Sequence, residues 1–240
     1  MRPHNVILAA LALAIPAFAA APCACRPNCG VTPFTMPCCP AASTNNPTAL
    51  DWCFQVKHVG MLTVGESYIN VINDGANGAS LLGPGSGGVT GNICVNVYAF
   101  DPNEEMISCC SCLVTPDQVR NLGVNRDITS NATGPVPNSL TIKLVTTLAG
   151  GNGAGATCTN SAASVNTATT VPGLAAFGTN LHATPAPGVY ATTETPFTPV
   201  SSSTADLASL ANRCSNIIGN LSGFGICASC RNGAFGAPRM

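Results

Sequence analysis

Charge is what this sequence has least of. Of 240 residues, 8% are charged, and Lys57 and Lys143 are the only lysines. Ordinary soluble domains carry about 25% charged residues. Such a chain lacks the basic footprint by which nucleic acids are held, and it lacks the charged exterior of a typical cytosolic enzyme. The scarcity does not imply disorder, because 46% of residues are hydrophobic and the formal net charge is −1; compositional disorder combines low hydrophobicity with high net charge. Aromatic residues are also scarce, at 5% with a single tryptophan, which is thin for a stacking platform. No apolar run reaches the about 20 residues needed to span a bilayer.

What is present begins with a three-part N-terminus. Arg2 precedes an unbroken apolar run from Val6 to Ile15, and Ala17-Phe18-Ala19 follows as a small-x-small cleavage pattern. This is the layout of a secretory signal peptide, expected over residues 1–21 with cleavage after Ala19 or Ala21. A buried core helix is disfavoured by Pro16, and a lipid anchor on Cys23 by Pro22. After cleavage no transmembrane segment is expected. The localisation so implied is secreted, extracellular or cell-surface, with the periplasm as the alternative.

Fourteen cysteines follow the leader: Cys23, Cys25, Cys29, Cys38, Cys39, Cys53, Cys94, Cys109, Cys110, Cys112, Cys158, Cys214, Cys227 and Cys230. An even count in an exported chain reads as a disulfide framework. The connectivities number on the order of 10⁵, so spacing does not choose among them. The competing reading is metal-thiolate binding, because Cys23-x-Cys25, Cys38-Cys39, Cys109-Cys110-x-Cys112 and Cys227-x-x-Cys230 resemble ligand spacings; the last also resembles a redox pair. In a strand, Cys109 faces away from Cys110 and Cys112. These three should therefore find partners elsewhere in the chain and staple two layers together.

Along the chain, residues 22–50 are Cys/Pro-rich and without periodicity, an irregular segment. Residues 51–148 read as a β domain. Trp52, Phe54 and Val56 alternate with Cys53, Gln55 and Lys57, and Ser67 to Ile72 is β-branched. Asn73-Asp74-Gly75 is a turn signal. Gly83-x-Gly85-x-x-Gly88 has the spacing of a dinucleotide fingerprint without the strand and helix that would give it meaning. Ile93 to Phe100 and Met106 to Val114 form a hairpin about Asp101-Pro102-Asn103-Glu104, and one register sets Cys94 opposite Cys112. A short helical turn is expected from Thr115 to Leu122, and a strand over Leu140 to Leu144. Residues 149–203 are Ala/Thr/Ser/Gly/Pro-rich and read mostly as loop or low-complexity linker, with an edge strand allowed around Gly188 to Val200. Residues 204–240 hold one amphipathic helix, 204–221, capped by Ser203 or Thr204, with an apolar stripe of Leu207, Leu210, Ala211, Cys214, Ile217, Ile218 and Leu221, and then a cysteine-containing tail.

Sites of chemistry are few. No Gly-x-Ser-x-Gly elbow occurs, and His58 and His182 are the only imidazoles beyond the leader; both read as ordinary residues rather than catalytic bases. Asp101-x-Asn103-x-Glu105 has alternating oxygen ligands that would suit calcium, but a solvated hairpin tip is the plainer reading. Adjacent carboxylates in one turn do not flank a sugar as a glycosidase pair must. Asn131-Ala132-Thr133 and Asn220-Leu221-Ser222 match glycosylation acceptors in a eukaryotic source. No catalytic residue, cofactor or metal is expected.

The stretch Asn92 to Pro116 carries a resemblance. Its Val97-Tyr98-x-Phe100-Asp101 strand, Glu105-Met106 pair and Cys109-Cys110-x-Cys112-x-Val114-Thr115-Pro116 return are similar to a hairpin motif of uncharacterised exported bacterial cysteine-rich proteins. The likeness extends loosely over residues 120–148 and covers about a quarter of the chain. It implies a recurrent exported module and no particular activity.

The expected fold is mainly β: a disulfide-stapled, sandwich-like domain with one C-terminal amphipathic helix and long irregular loops. The expected function is that of a non-enzymatic structural protein of the cell surface or extracellular matrix, self-associating through β edges and assembling into filaments. The alternatives are a secreted β-module that binds a carbohydrate or other ligand through Trp52, Tyr68, Tyr98 and Tyr190, and a metal-thiolate protein.

Overall fold

The computed structural model describes residues 53–81, 90–150, 158–160, 164–166, 168–228 and 230–232. The expected signal peptide, the segment 22–50 with Cys23, Cys25, Cys29, Cys38 and Cys39, Trp52 and the Gly83–Gly88 fragment lie outside the described residues.

The described chain forms two antiparallel five-stranded sheets. The first has the order β4(Met106–Val114), β3(Ile93–Phe100), β6(Leu140–Leu148), β1(Phe54–Val59), β9(Thr198–Pro199). The second has the order β10(Arg231–Asn232), β5(Val119–Gly123), β2(Tyr68–Asn73), β7(Leu174–Ala183), β8(Tyr190–Pro196). One helix, α1(Thr204–Gly219), completes the described elements apart from a π-helical turn at Val124–Ile128. The fold is therefore mainly β, with a short C-terminal helix.

Period-two alternation sorts the strand residues into two cores. Ile93, Val95, Val97 and Ala99 of β3 and Leu140, Ile142 and Leu144 of β6 face Ile69 and Val71 of β2, Leu122 of β5 and Leu174 and Ala176 of β7. This is the filling between the sheets. The opposite face of the first sheet carries Tyr98, Val145 and Cys109, and these pack with Phe54 and Met106 against Leu207, Leu210, Ala211 and Cys214 of α1. β3 is buried on both faces, which is why its sequence is almost continuously apolar. Its one amide on the helix side, Asn96, is satisfied: Nδ2 donates to Val145 O at 3.1 Å and Thr147 Oγ1 at 3.0 Å, and Oδ1 accepts from Ser111 Oγ at 2.7 Å.

The helix starts where its cap permits. Ser203 Oγ accepts from Asp206 N at 3.0 Å, one of the first-turn donors that an intrahelical bond cannot satisfy. The helix ends at Gly219, so the expected stripe is shorter than its sequence. Ile218 is exposed and Leu221, 90% exposed with φ 56°, lies beyond the last turn.

Three expectations are refined, and one further placement is new. First, Cys94 lies opposite Leu113, and Cys112 opposite Val95. The irregularity between Ala99 and Phe100 sets this register, and Cys94 bonds to Cys158 instead. Second, the helical turn at 115–122 is absent. Asp117 adopts φ 61°, a left-handed conformation that a helix cannot continue through, and the chain enters β5 against β2. Third, residues 149–203 hold more strand than the one edge strand allowed around Gly188 to Val200: β7 and β9 arise there beside β8. β7 is poor in β-branched residues but is flanked by β2 and β8, whose ladders supply its pairing. Fourth, Gln55 and Lys57 point between the sheets. Gln55 Nε2 donates to Leu174 O at 2.8 Å, and Lys57 reaches Thr195.

The tail after α1 wraps the β4 edge. Cys109 N donates to Gly225 O at 2.9 Å and Cys227 N to Cys109 O at 3.2 Å. Ala228 N then donates to Asp127 O at 2.7 Å before β10 joins β5. This strap carries the chain from the helix layer to the second sheet.

Candidate functional site

Four disulfides organise the β3–β4 side: Cys94–Cys158, Cys109–Cys214, Cys110–Cys227 and Cys112–Cys230, with Cα separations of 5.3 to 5.9 Å. The alternation on β4 explains their directions. Cys109 meets α1 on the outer face, while Cys110 and Cys112 meet the strap. The ligand-like spacings Cys109-Cys110-x-Cys112 and Cys227-x-x-Cys230 are thereby divided among separate bridges, and Cys53 is also disulfide-bonded. Among the described residues no group of three or more His, Cys, Asp or Glu side chains is arranged to hold a metal.

At the hairpin tip, Asp101 Oδ1 accepts from Asn103 N at 2.9 Å and Glu105 N at 2.8 Å, and Oδ2 accepts from Asn103 Nδ2 at 3.2 Å. The carboxylate holds the turn. Beside it, a hollow of about 350 Å³ gathers Phe100, Lys143, Asp206 and Arg213. Lys143 Nζ lies 3.2 Å from Asp206 Oδ1, and the Lys143 and Arg213 cations sit 5.7 and 5.9 Å from the Phe100 ring. In a chain so poor in charge this is a notable concentration, but its ions are already partnered: Arg213 Nη1 also donates to Glu104 O at 3.0 Å.

The larger concavity lies at the β1–β9 edge, away from the four disulfides of β3 and β4. A groove of about 790 Å³ runs between the β1–β9 edge and the β7–β8 hairpin, and its walls include Lys57, His58, Asn180, His182 and Thr195. The two imidazoles expected to be ordinary residues therefore share one groove. His182 Nε2 is hydrogen-bonded to Thr193 Oγ1 at 2.7 Å, and His58 is exposed on the other wall. Lys57 enters from β1 and is 9% exposed. Its Nζ donates to Thr195 Oγ1 at 2.5 Å and to Thr195 O at 3.3 Å, and it lies 5.9 Å from the Phe197 ring. Asn180 Nδ2 donates to the same Thr195 Oγ1 at 3.3 Å. Burial pushes the Lys57 amine below the usual lysine range, because an ammonium loses hydration there and no carboxylate among the described residues pairs with it. Gly178 makes room for its stem: a Cβ at Gly178 would lie 2.6 Å from Lys57 Cδ and Cε.

Sequence reasoning missed this constellation. The signal available was a lysine on an otherwise alternating strand, together with Gly178 and the threonines of a segment read as linker.

Of the aromatic residues considered for ligand stacking, the three that are described do not form one surface. Tyr98 is fully buried beneath α1, Tyr68 is half-buried with the Arg126 guanidinium 5.8 Å from its ring, and Tyr190 lies on the edge strand β8. Of the two glycosylation patterns, Asn131 is held by a hydrogen bond from Nδ2 to Gly223 O, and Asn220 is exposed at the helix C-terminus with Oδ1 accepting from Ser222 N at 2.8 Å. Among the described residues no helix is long and apolar enough to cross a membrane. With the disulfides, this is consistent with an extracellular or periplasmic protein. Compared with protein-family models, curated proteins and solved structures, the chain matches none.

Proposed function

We propose that this is a secreted, non-enzymatic structural protein of the cell surface or extracellular matrix, which associates with copies of itself through the β8 edge. The observation that carries the reading is the contrast between the two long edges. β4 is strapped by the C-terminal tail and three disulfides. β8 pairs with β7 on one side only, among the described residues, and Ala191 to Glu194 are exposed.

The hydrogen-bond phase identifies which groups of β8 are offered. Phe197 N donates to Ala176 O at 2.8 Å. Antiparallel pairs alternate between bonded and non-bonded positions, so Tyr190, Thr192 and Glu194 direct N–H and C=O away from β7, as does the C=O of Pro196. A strand of this kind with one charge, Glu194, accepts a neighbouring strand readily. Low surface charge weakens repulsion between copies, and disulfides suit an oxidising compartment. Two β8 edges paired about a two-fold axis close into a dimer, whereas a filament requires a head-to-tail contact with a second surface.

The test is sedimentation of the mature protein over a wide concentration range, with negative-stain microscopy to separate dimers from filaments. Wild type is expected to associate, and Thr192→Pro, which removes an outward N–H while sparing the β7 ladder, is expected to be monomeric. A wild type that remains monomeric at the highest concentration overturns the proposal.

A further inference from the structure

We infer that Lys57 and Asn180 become joined after folding by an intramolecular amide bond, with Lys57 Nζ displacing the carboxamide nitrogen of Asn180 as ammonia. The inference is independent of self-association.

Three observations support it. The first is that nucleophile and carboxamide converge on one hydroxyl. Lys57 Nζ is 2.5 Å and Asn180 Nδ2 is 3.3 Å from Thr195 Oγ1, so the two side-chain ends sit within two hydrogen-bond lengths of each other. The second is the state of Lys57. It lies in the interior with hydrogen bonds only to neutral oxygens of Thr195 among the described residues. The other lysine, Lys143, is paired with Asp206. A buried ammonium without a counter-ion is costly, and desolvation favours the neutral amine, which is the nucleophilic form. The third is restraint. The Lys57 stem crosses Gly178, where no Cβ could be accommodated without displacing it. The pairing of Gly178 with Thr195 across β7 and β8 holds the relay group opposite that stem. Such restraint converts an encounter between two side chains into a positioned reaction.

The reaction balances without an oxidant or reductant. The Lys57 ammonium first releases a proton to water in the groove. The amine nitrogen then attacks Asn180 Cγ, a new C–N bond forms and the Cγ–Nδ2 bond breaks. The second amine proton passes through the Thr195 hydroxyl to the departing nitrogen, which leaves as ammonia. The product replaces a buried charge by an amide and ties β1 of one sheet to β7 of the other. The four cysteine pairs described above anchor on β3 and β4, whereas this link joins β1 to β7.

Mass spectrometry of the reduced, denatured mature protein tests it. The expected result is a mass lower by one ammonia, and a branched peptide after proteolysis that contains Lys57 joined to Asn180. Asn180→Ala should restore the full complement of atoms and leave Lys57 open to trypsin. Thr195→Val, which keeps both reactants and removes the relay, should slow formation by about a hundredfold. A folded wild type of unreduced mass, cleaved by trypsin after Lys57, overturns the inference whatever the variants do.

Discussion

Cys109 and Cys110 are adjacent on β4 and are bonded to opposite layers of the molecule. Cys109 is joined to Cys214 in the middle of α1, and Cys110 to Cys227 in the strap that leads to the second sheet. One dipeptide thus fastens the helix layer to one face of the first sheet and the tail to the other. The geometry follows from the pleat alone, since consecutive side chains leave a strand in opposite directions.

This arrangement predicts separable effects. The double variant Cys109→Ser/Cys214→Ser should lose about 2–4 kcal/mol of stability in urea unfolding, with a loss of helical circular dichroism before the β signal. Cys110→Ser/Cys227→Ser should instead loosen the strap and leave the helix signal in place. Thiol titration of the unreduced wild type in denaturant should find the described cysteines unreactive, and peptide mapping should return the four pairs. A mapped Cys227–Cys230 bridge would contradict the arrangement.

The start of α1 offers a second test. Ser203 supplies the side-chain acceptor for Asp206 N, and the same first turn places Asp206 beside Lys143. Ser203→Ala should cost about 1 kcal/mol. Ser203→Asp should retain most of that stability, because a carboxylate both caps the turn and complements the helix dipole. Equal losses for both variants would show that the cap contributes little to the docked helix.

Much of this architecture could be read from the amino-acid sequence, and the exceptions have physical causes. β3 and β6 were legible because large β-branched residues recur with period two, and α1 because Leu207, Leu210, Ala211 and Cys214 share a face. β7 was not legible. Its Ala175, Ala176, Gly178 and Asn180 carry little intrinsic strand preference, and they are strand only because β2 and β8 lie on either side. The orientation of β1 was not legible for another reason: Phe54 is buried on the helix side while the polar Gln55 and Lys57 are buried on the side of the second sheet, so alternation could not say which face turns inward. The candidate groove was hidden with it, because Lys57 on β1 is separated from Asn180 and Thr195 on β7 and β8 by more than a hundred residues of chain. No local pattern brings them together.

Gly178 makes the third prediction. Its missing Cβ is the space occupied by the Lys57 stem, and Phe197 Cε2 lies 3.3 Å from the same point. Gly178→Ala should therefore displace Lys57 from Thr195 and cost about 1–3 kcal/mol, the usual range for overfilling a packed interior. A Gly178→Ala/Lys57→Ala double variant should recover part of that loss, since the clash is with the lysine stem. Strict additivity of the two losses would place the cost elsewhere on β7.

Tyr98 makes the last. It is fully buried between the first sheet and α1, and its hydroxyl has no hydrogen-bond partner among the described residues. A buried unpaired hydroxyl costs about 1–3 kcal/mol relative to water, so Tyr98→Phe at neutral pH should be neutral or more stable by about 1 kcal/mol. The pH dependence separates this from simple packing. Burial raises the Tyr98 phenol well above the usual tyrosine range by desolvating the phenolate. An unfolded tyrosine ionises near pH 10; above that pH the unfolded chain releases a proton that the folded chain retains. Stability linked to Tyr98 is thus fully present below about pH 10 and is lost as the pH rises toward the folded value. Wild type should unfold more readily with increasing alkalinity than Tyr98→Phe, and the two stability curves should diverge above about pH 10. Parallel curves would mean that the folded phenol is not desolvated, and a loss of stability in Tyr98→Phe at neutral pH would mean that the hydroxyl is bonded within the core.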